Sequence, residues 1–324
     1  MKKYILALGL SLLTVLGLFT GCSPKAETAS DSDSLKIVAT IFPEYDWVRQ
    51  VLGDRAGEVE LTLLLDSGTD LHSYQPTAAD MLTIGECALF LYNGGESDAW
   101  VERVLATAAN PDRRTLSVME VLGDSVLEEE VVEGMQEAED HDHAEGEAHE
   151  EEADEHVWLS LRNARTACAE IARVLGELDP DHAAEYQANA ENYMAELEAL
   201  DGEYAALAEN AARRTVLVGD RFPFRYLMDD YGLEYYAAFS GCSAETEASF
   251  ETIAFLSGKT EELALPCILT TESPQPGVAE TIRSNTASGD QTILQLDSMQ
   301  SAGTGDNYLD IMKENLEVLR QALA

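Results

Sequence analysis

The stretch "DPDHAAEYQANAENYMAELEALDGEYAALAENAA", residues 179–212, decides the fold. Asp179 predicts an N-cap and Pro180 the first helical position, where its missing N–H costs nothing. Tyr186, Tyr193, Leu197, Leu200 and Tyr204 keep a three-to-four spacing, an apolar stripe over about five turns. Each side of this helix carries four short β-rich runs alternating with helical stretches. Before it come "LKIVATIF" (35–42), "VELTLLL" (59–65), "ALFLYNG" (88–94) and "TLSVME" (115–120); after it, "RTVLVG" (214–219), "LEYYAAF" (233–239), "CILTTE" (267–272) and "TILQLD" (292–297). Strands alternating with helices imply parallel sheets covered on both faces. The expected fold is therefore α/β with two lobes, each a four-stranded, mostly parallel sheet flanked by helices, spanning 35–178 and 213–324. The long helix is expected to act as a rigid strut, which disfavours wide hinge closure.

Working outward, residues 1–22 combine Lys2 and Lys3, the apolar run "YILALGLSLLTVLGLF" and the small residues Thr20 and Gly21 before Cys22, the pattern of a secretory signal. The end of this segment resembles a bacterial lipoprotein signal, with Phe19 in place of the usual Leu, and the resemblance implies lipidation at Cys22. A polar tether follows over 23–34. No second apolar run approaches the roughly 20 residues a membrane span needs. The expectation is an extracytoplasmic monomer, lipid-anchored to the cell membrane rather than threaded through it.

The 61 acidic side chains against 20 basic ones give a net charge of −41, which argues against nucleic acid and suits cations. Cys87, Cys168, Cys242 and Cys267 contain no C-x-x-C pair, which excludes a zinc ribbon. Outside the cytosol a Cys242–Cys267 disulfide is permitted, with free buried thiols an equal alternative.

Residues 123–155 shift to Glu, Asp, His, Ala and Gly, too few apolar groups to offset ordering entropy, and so predict a mobile insertion. It holds His141, His143 and His149 and ends at His156 in "HVWLS". Ligands in open α/β sheets bind beyond the carboxyl ends of the strands. The metal-capable side chains expected there are His72 in "DLHSYQPTAAD", His156, Asp220 after "RTVLVG" and Asp297 at the end of "TILQLD". Two imidazoles and two carboxylates suit Zn(II), and Mn(II) as the alternative. The anchored His156 is separated in this reading from His141, His143 and His149, an accessory, low-affinity metal-concentrating string. His182, in the first turn of the long helix, reads as a surface residue.

"HSYQPTAADM", "LFLYNGGESDAW", "HVWLS", "YLMDDYGL", "FSGCSAETEAS" and "NYLDIMKENLEVLRQAL", with the long helix, resemble the zinc and manganese substrate-binding lipoproteins of ABC importers over nearly the whole chain beyond the signal. The resemblance implies metal captured between two lobes and delivered to a membrane permease, and it matches family ligands to His72, His156 and Asp297. At the remaining position many relatives place His or Glu, whereas "GDRFPFRYL" aligns Arg221, which cannot ligate because it keeps its proton. Asp220 is the neighbouring candidate, with water, Glu245 or Glu247 as alternatives. The histidine-rich segment goes with zinc in this family, and zinc also binds N/O sites more tightly than Mn(II).

Two other classes of function compete with this one. A metal-dependent hydrolase lacks an H-E-x-x-H motif or an evident general base, so no enzyme is expected. An adhesive lipoprotein with structural zinc predicts unfolding on metal removal.

Overall fold

The computed structural model describes residues 34–66, 68–106, 110–136, 152–243, 247–272 and 277–324. The leader, Cys22, most of the tether, His141, His143, His149 and Glu245 lie outside the described residues.

The first lobe is built from strands β1 (Lys36–Ala39), β2 (Glu60–Leu63), β3 (Leu89–Tyr92) and β4 (Arg114–Ser117), with helices α1 (Phe42–Leu52), α2 (Ala78–Glu86), α3 (Val101–Leu105), α4 (Val118–Leu122) and α5 (Leu161–Leu178). The long helix α6 spans Ala183–Asn210. The second lobe holds β5 (Thr215–Phe222), α7 (Arg225–Tyr231), β6 (Glu234–Ser240), α8 (Phe250–Glu262), β7 (Cys267–Thr270), α9 (Gly277–Asn285), β8 (Thr292–Gln295) and α10 (Tyr308–Ala322).

Both sheets are parallel and repeat one topology, β2-β1-β3-β4 in the first and β6-β5-β7-β8 in the second. Each sheet therefore has a switch point where its first strand lies between its second and third, the place where loops diverge and leave room for a ligand. In the first lobe that corner is fixed by Glu44 of α1. Its carboxylate accepts from Thr40 N at 3.0 Å, Thr40 Oγ1 at 2.9 Å and Ile41 N at 3.3 Å. Burial, reinforced by Asp98, pushes this acid up to about 8. The shift favours the uncharged acid, which avoids the cost of a buried charge.

The stripe on α6 is buried as the spacing requires: Tyr186, Tyr193, Leu197, Leu200 and Tyr204 all face inward. They join a core that runs through α5 and α10 into both lobes, including Trp47, Leu52, Ile171, Leu316 and Tyr308. Trp47 and Tyr308 meet edge to face at 5.5 Å, tying α1 to α10. Apolar packing across the lobes opposes sliding of this helix, since sliding would open voids in a close-packed interior.

Some element ends differ from expectation. Pro180–His182 forms a tighter turn before α6, and the Asp179 carboxylate accepts from Tyr186 Oη at 2.7 Å and pairs with the His182 ring at 2.9 Å rather than capping the backbone. His182 thus has a local partner. The run 115–120 divides at Ser117, whose hydroxyl accepts the Glu120 N–H and starts α4. All four described cysteines are free, so no Cys242–Cys267 disulfide forms; Cys87, Cys168 and Cys267 are buried and Cys242 is partly exposed.

The described ends of the 123–155 segment are anchored. Glu128 bridges Ala153, and Gln136 bridges Phe239 of β6. Met135 is buried, and the Tyr226 hydroxyl accepts Leu127 N–H while donating to the Asp154 carbonyl. Backbone pairing and one buried methionine hold these flanks despite their acidic composition.

Candidate metal centre

His72 and His156 arrive from different loops of the first lobe and meet with their Nε2 atoms 3.3 Å apart. His72 sits in a single helical turn, Leu71–Ser73, opened by Asp70, whose carboxylate accepts the His72 N–H at 2.9 Å. His156 is fully buried. It is the last residue before the turn Val157–Leu159, whose apolar side chains are buried and whose Trp158 donates to the Ser298 carbonyl at 2.9 Å.

The proton positions follow from the partners. Asp154 Oδ1 accepts both the His156 backbone N–H at 2.8 Å and the ring Nδ1–H at 3.0 Å. For His72, Nδ1 faces Ser97 Oγ at 2.9 Å and Glu155 Oε2 at 3.3 Å. The single hydroxyl proton of Ser97 goes to Glu155 Oε2, so Ser97 Oγ must accept from His72. Both imidazoles therefore carry a proton on Nδ1, and the Nε2 of each, turned toward the other, is the ring atom left to bind an ion. Burial alone would raise Glu155, but the bonds from His72 and Ser97 outweigh it and hold the carboxyl below its usual range. Gly95 lets Glu155 close in, because at φ 82° it needs no side chain and a Cβ would collide with that carboxylate.

Two facing lone pairs repel unless a proton or a metal ion lies between them. An ion held by two imidazoles at about 2.05 Å with a tetrahedral angle near 109° separates the nitrogens by about 3.3 Å. The observed spacing equals that value. Carboxylates behind both rings are the usual means of fixing tautomer and raising ligand basicity.

The second lobe contributes Cys242. Its Sγ and the two imidazoles offer ligand atoms that all lie within 4.8 Å of one another. Burial, then Glu129, Glu155 and Asp154, push its thiol well above the usual range. The sequence alone offers this cysteine as half of a disulfide or as a free buried thiol, and not as a ligand. Its place two residues beyond β6, at the carboxyl edge of a sheet, was the available signal.

Asp220 and Arg221 sit at a register break, where β5 slips against β6 between Val218 and Arg221. Neighbouring residues on a strand face opposite ways, so the two side chains diverge. Asp220 Oδ2 accepts from Thr270 Oγ1 at 2.9 Å, Thr271 Oγ1 at 2.7 Å and Thr271 N at 3.3 Å, which places it against β7. Arg221 crosses to the first lobe and donates to Asp70 Oδ2 at 2.9 Å. Burial opposes ionisation of Asp70, but the hydrogen bond and charge of Arg221 hold its carboxyl below the ordinary range.

Asp297 accepts the Met299 N–H through Oδ1 at 2.7 Å, and its own N–H donates to Asn315 at 2.8 Å. Burial and the neighbouring Glu272 push its acid up to about 6. Glu247 is exposed. Among the described residues, His72, His156 and Cys242 form the group placed to hold a metal ion.

Two parallel α/β lobes on a shared long helix, with their carboxyl-end loops converging, define the chain as a two-lobed binding protein. More specifically, it belongs to the family described as zinc-uptake complex component A, periplasmic (ZnuA), whose profile matches residues 37–322. It is 31% identical over 324 residues to the zinc-binding lipoprotein AdcA of Streptococcus pneumoniae, covering 99% of this chain and 61% of AdcA. The chain thus spans about three fifths of that relative. Identity to the high-affinity zinc uptake system protein ZnuA of Bacillus subtilis is 28% over 303 residues, covering 93% and 91% of the two chains. The Zn(II)-bound ZnuA-like domain of S. pneumoniae AdcA superposes with a TM-score of 0.70 at 28% identity, covering 90% of this chain and 99% of the domain.

Proposed function

We propose that this chain captures Zn(II) between its lobes and delivers it to the membrane permease of an ABC importer, held at the cell surface through a lipid on Cys22. The observation that carries the reading is the His72–His156 pair: two Nε2 lone pairs 3.3 Å apart, each ring pinned from behind by a carboxylate. Relatives named for zinc uptake and zinc binding support the choice of ion. In this reading His72 and His156 bind first, and Asp297 and Cys242 supply anionic donors from the second lobe. Asp220, whose Oδ2 accepts from two threonine hydroxyls and a backbone N–H, serves as a brace for the β5–β7 edge.

Catalysis has no place in this reading. Neither Glu155 nor Asp154 is free to act as a general base, since each already holds an imidazole in place. The string His141, His143 and His149 precedes His156 in the chain, and in this reading it concentrates zinc as an accessory, low-affinity set of imidazoles. Manganese is the competing cargo, disfavoured because bare imidazoles suit zinc better.

The test is a competition titration of the metal-free protein with Zn(II) and Mn(II), with element analysis of the loaded form. One zinc per chain that exchanges reversibly and is preferred over manganese is expected. A protein that unfolds when zinc is removed would instead favour a structural role.

A further inference from the structure

We infer that Cys242 binds the captured ion as a thiolate and sets the site's preference for zinc-like, sulfur-tolerant cations over manganese. The inference deepens the zinc-capture reading and rests on it.

Three observations on the residues around this cysteine bear on its role. Gly241 brings the backbone onto the buried His156 ring: a Cβ there would lie 2.7 Å from His156 Cε1 and 2.9 Å from the Phe222 carbonyl. The chain beside Cys242 can therefore approach the imidazole only because residue 241 is glycine. Arg221 then ties together both ligand-bearing loops. Its Nη1 reaches Asp70 Oδ2 at 2.9 Å, two residues before His72, and the Ser243 carbonyl at 3.5 Å, one residue after Cys242. Arg221 acts here as a positioning residue, because a guanidinium keeps its charge and cannot ligate. Lastly, Asp220 is committed to Thr270 and Thr271, and among the described residues Cys242 is the second-lobe residue whose ligand atom groups with the pair.

The distances suit the proposal. A zinc ion bound to imidazole at about 2.05 Å and to thiolate at about 2.3 Å separates N and S by about 3.6 Å. The present limit of 4.8 Å therefore asks for a movement of at most about 1.2 Å, within reach of a side-chain rotation or slight lobe approach. On binding, the S–H bond breaks, the proton leaves to solvent and a metal–sulfur bond forms with no change of oxidation state. Soft thiolate favours Zn(II) and Cd(II) strongly and gives little to Mn(II), which prefers oxygen.

The experiment loads the mature protein with one equivalent of Co(II) as a spectroscopic probe and compares it with Cys242→Ser and His72→Ala. Thiolate-to-cobalt charge-transfer absorption in the near ultraviolet is expected from the parent protein and absent from Cys242→Ser. Zinc affinity of Cys242→Ser should fall at least about tenfold while manganese affinity changes less than about threefold. Because serine is nearly isosteric, retained circular dichroism and thermal transition distinguish loss of the ligand from loss of fold. Cobalt that binds through His72 without the sulfur band, or full zinc affinity in Cys242→Ser, overturns the thiolate assignment and leaves zinc capture standing. Zinc binding untouched by His72→Ala overturns both.

Discussion

The two lobes share one strand order and yet use their carboxyl-end loops in opposite ways. In the first lobe, acids stand behind donors: Asp154 holds His156, Glu155 and Ser97 hold His72, and Asp70 caps the turn that carries it. Each imidazole is held in place by its own hydrogen-bonded carboxylate. In the second lobe the acid at the corresponding edge is consumed internally, with Asp220 bound to Thr270 and Thr271, while Arg221 reaches out to Asp70. His72 follows β2 and Cys242 follows β6, the equivalent strands of the two sheets, so the donors from the two lobes occupy matching topological positions. The lesson is one of division of labour. One lobe carries a preorganised site, which lowers the cost of ordering on binding, and the other supplies a latch and a donor that tunes selectivity.

The comparison can be broken at its strongest point first. Replacing His156 with Ala removes a buried donor and leaves Asp154 without its ring partner, so zinc affinity is expected to fall about a hundredfold in a competition titration. A loss under about tenfold would mean that the first lobe is not the preorganised half. Asp220→Ala should do the reverse, lowering stability by about 1–3 kcal/mol in denaturant unfolding, because two threonine hydroxyls and a backbone N–H lose their acceptor. Its zinc affinity should change less than about threefold, given that no metal contact is removed. Arg221→Ala should give the smallest effect on stability, within about 1 kcal/mol, since the Arg221–Asp70 pair is about one third exposed. Its zinc affinity should nevertheless weaken by a few-fold, with Arg221→Lys recovering only part, because lysine offers a point charge in place of a fork. An affinity unchanged in Arg221→Ala would remove the latch from the account.

Much of this arrangement was legible in the sequence because it rests on periodicity. The stripe from Tyr186 to Tyr204 is buried along α6, and the β-rich runs became two parallel four-stranded sheets. The HVWLS motif placed His156 correctly next to buried apolar anchors. What the sequence concealed depends on register and on long-range approach. Whether residue 220 or 221 faces the cleft is decided by a slip in the β5–β6 pairing that leaves no mark in composition. Likewise, Cys242 meets His156 across 86 positions of chain only through the glycine before it and the pairing of β6 with β5. The acidic composition of 123–155 gives no sign of the two backbone bridges and the buried Met135 that hold its described flanks, because bridges have no residue signature.

X-ray absorption at the zinc edge, on protein loaded with one equivalent, tests the central claim most directly. Two imidazole nitrogens and the Asp297 oxygen at about 2.0–2.2 Å and one sulfur at about 2.3 Å are expected. A shell of nitrogen and oxygen alone would contradict the thiolate, and a shell without imidazole scattering would contradict the site itself.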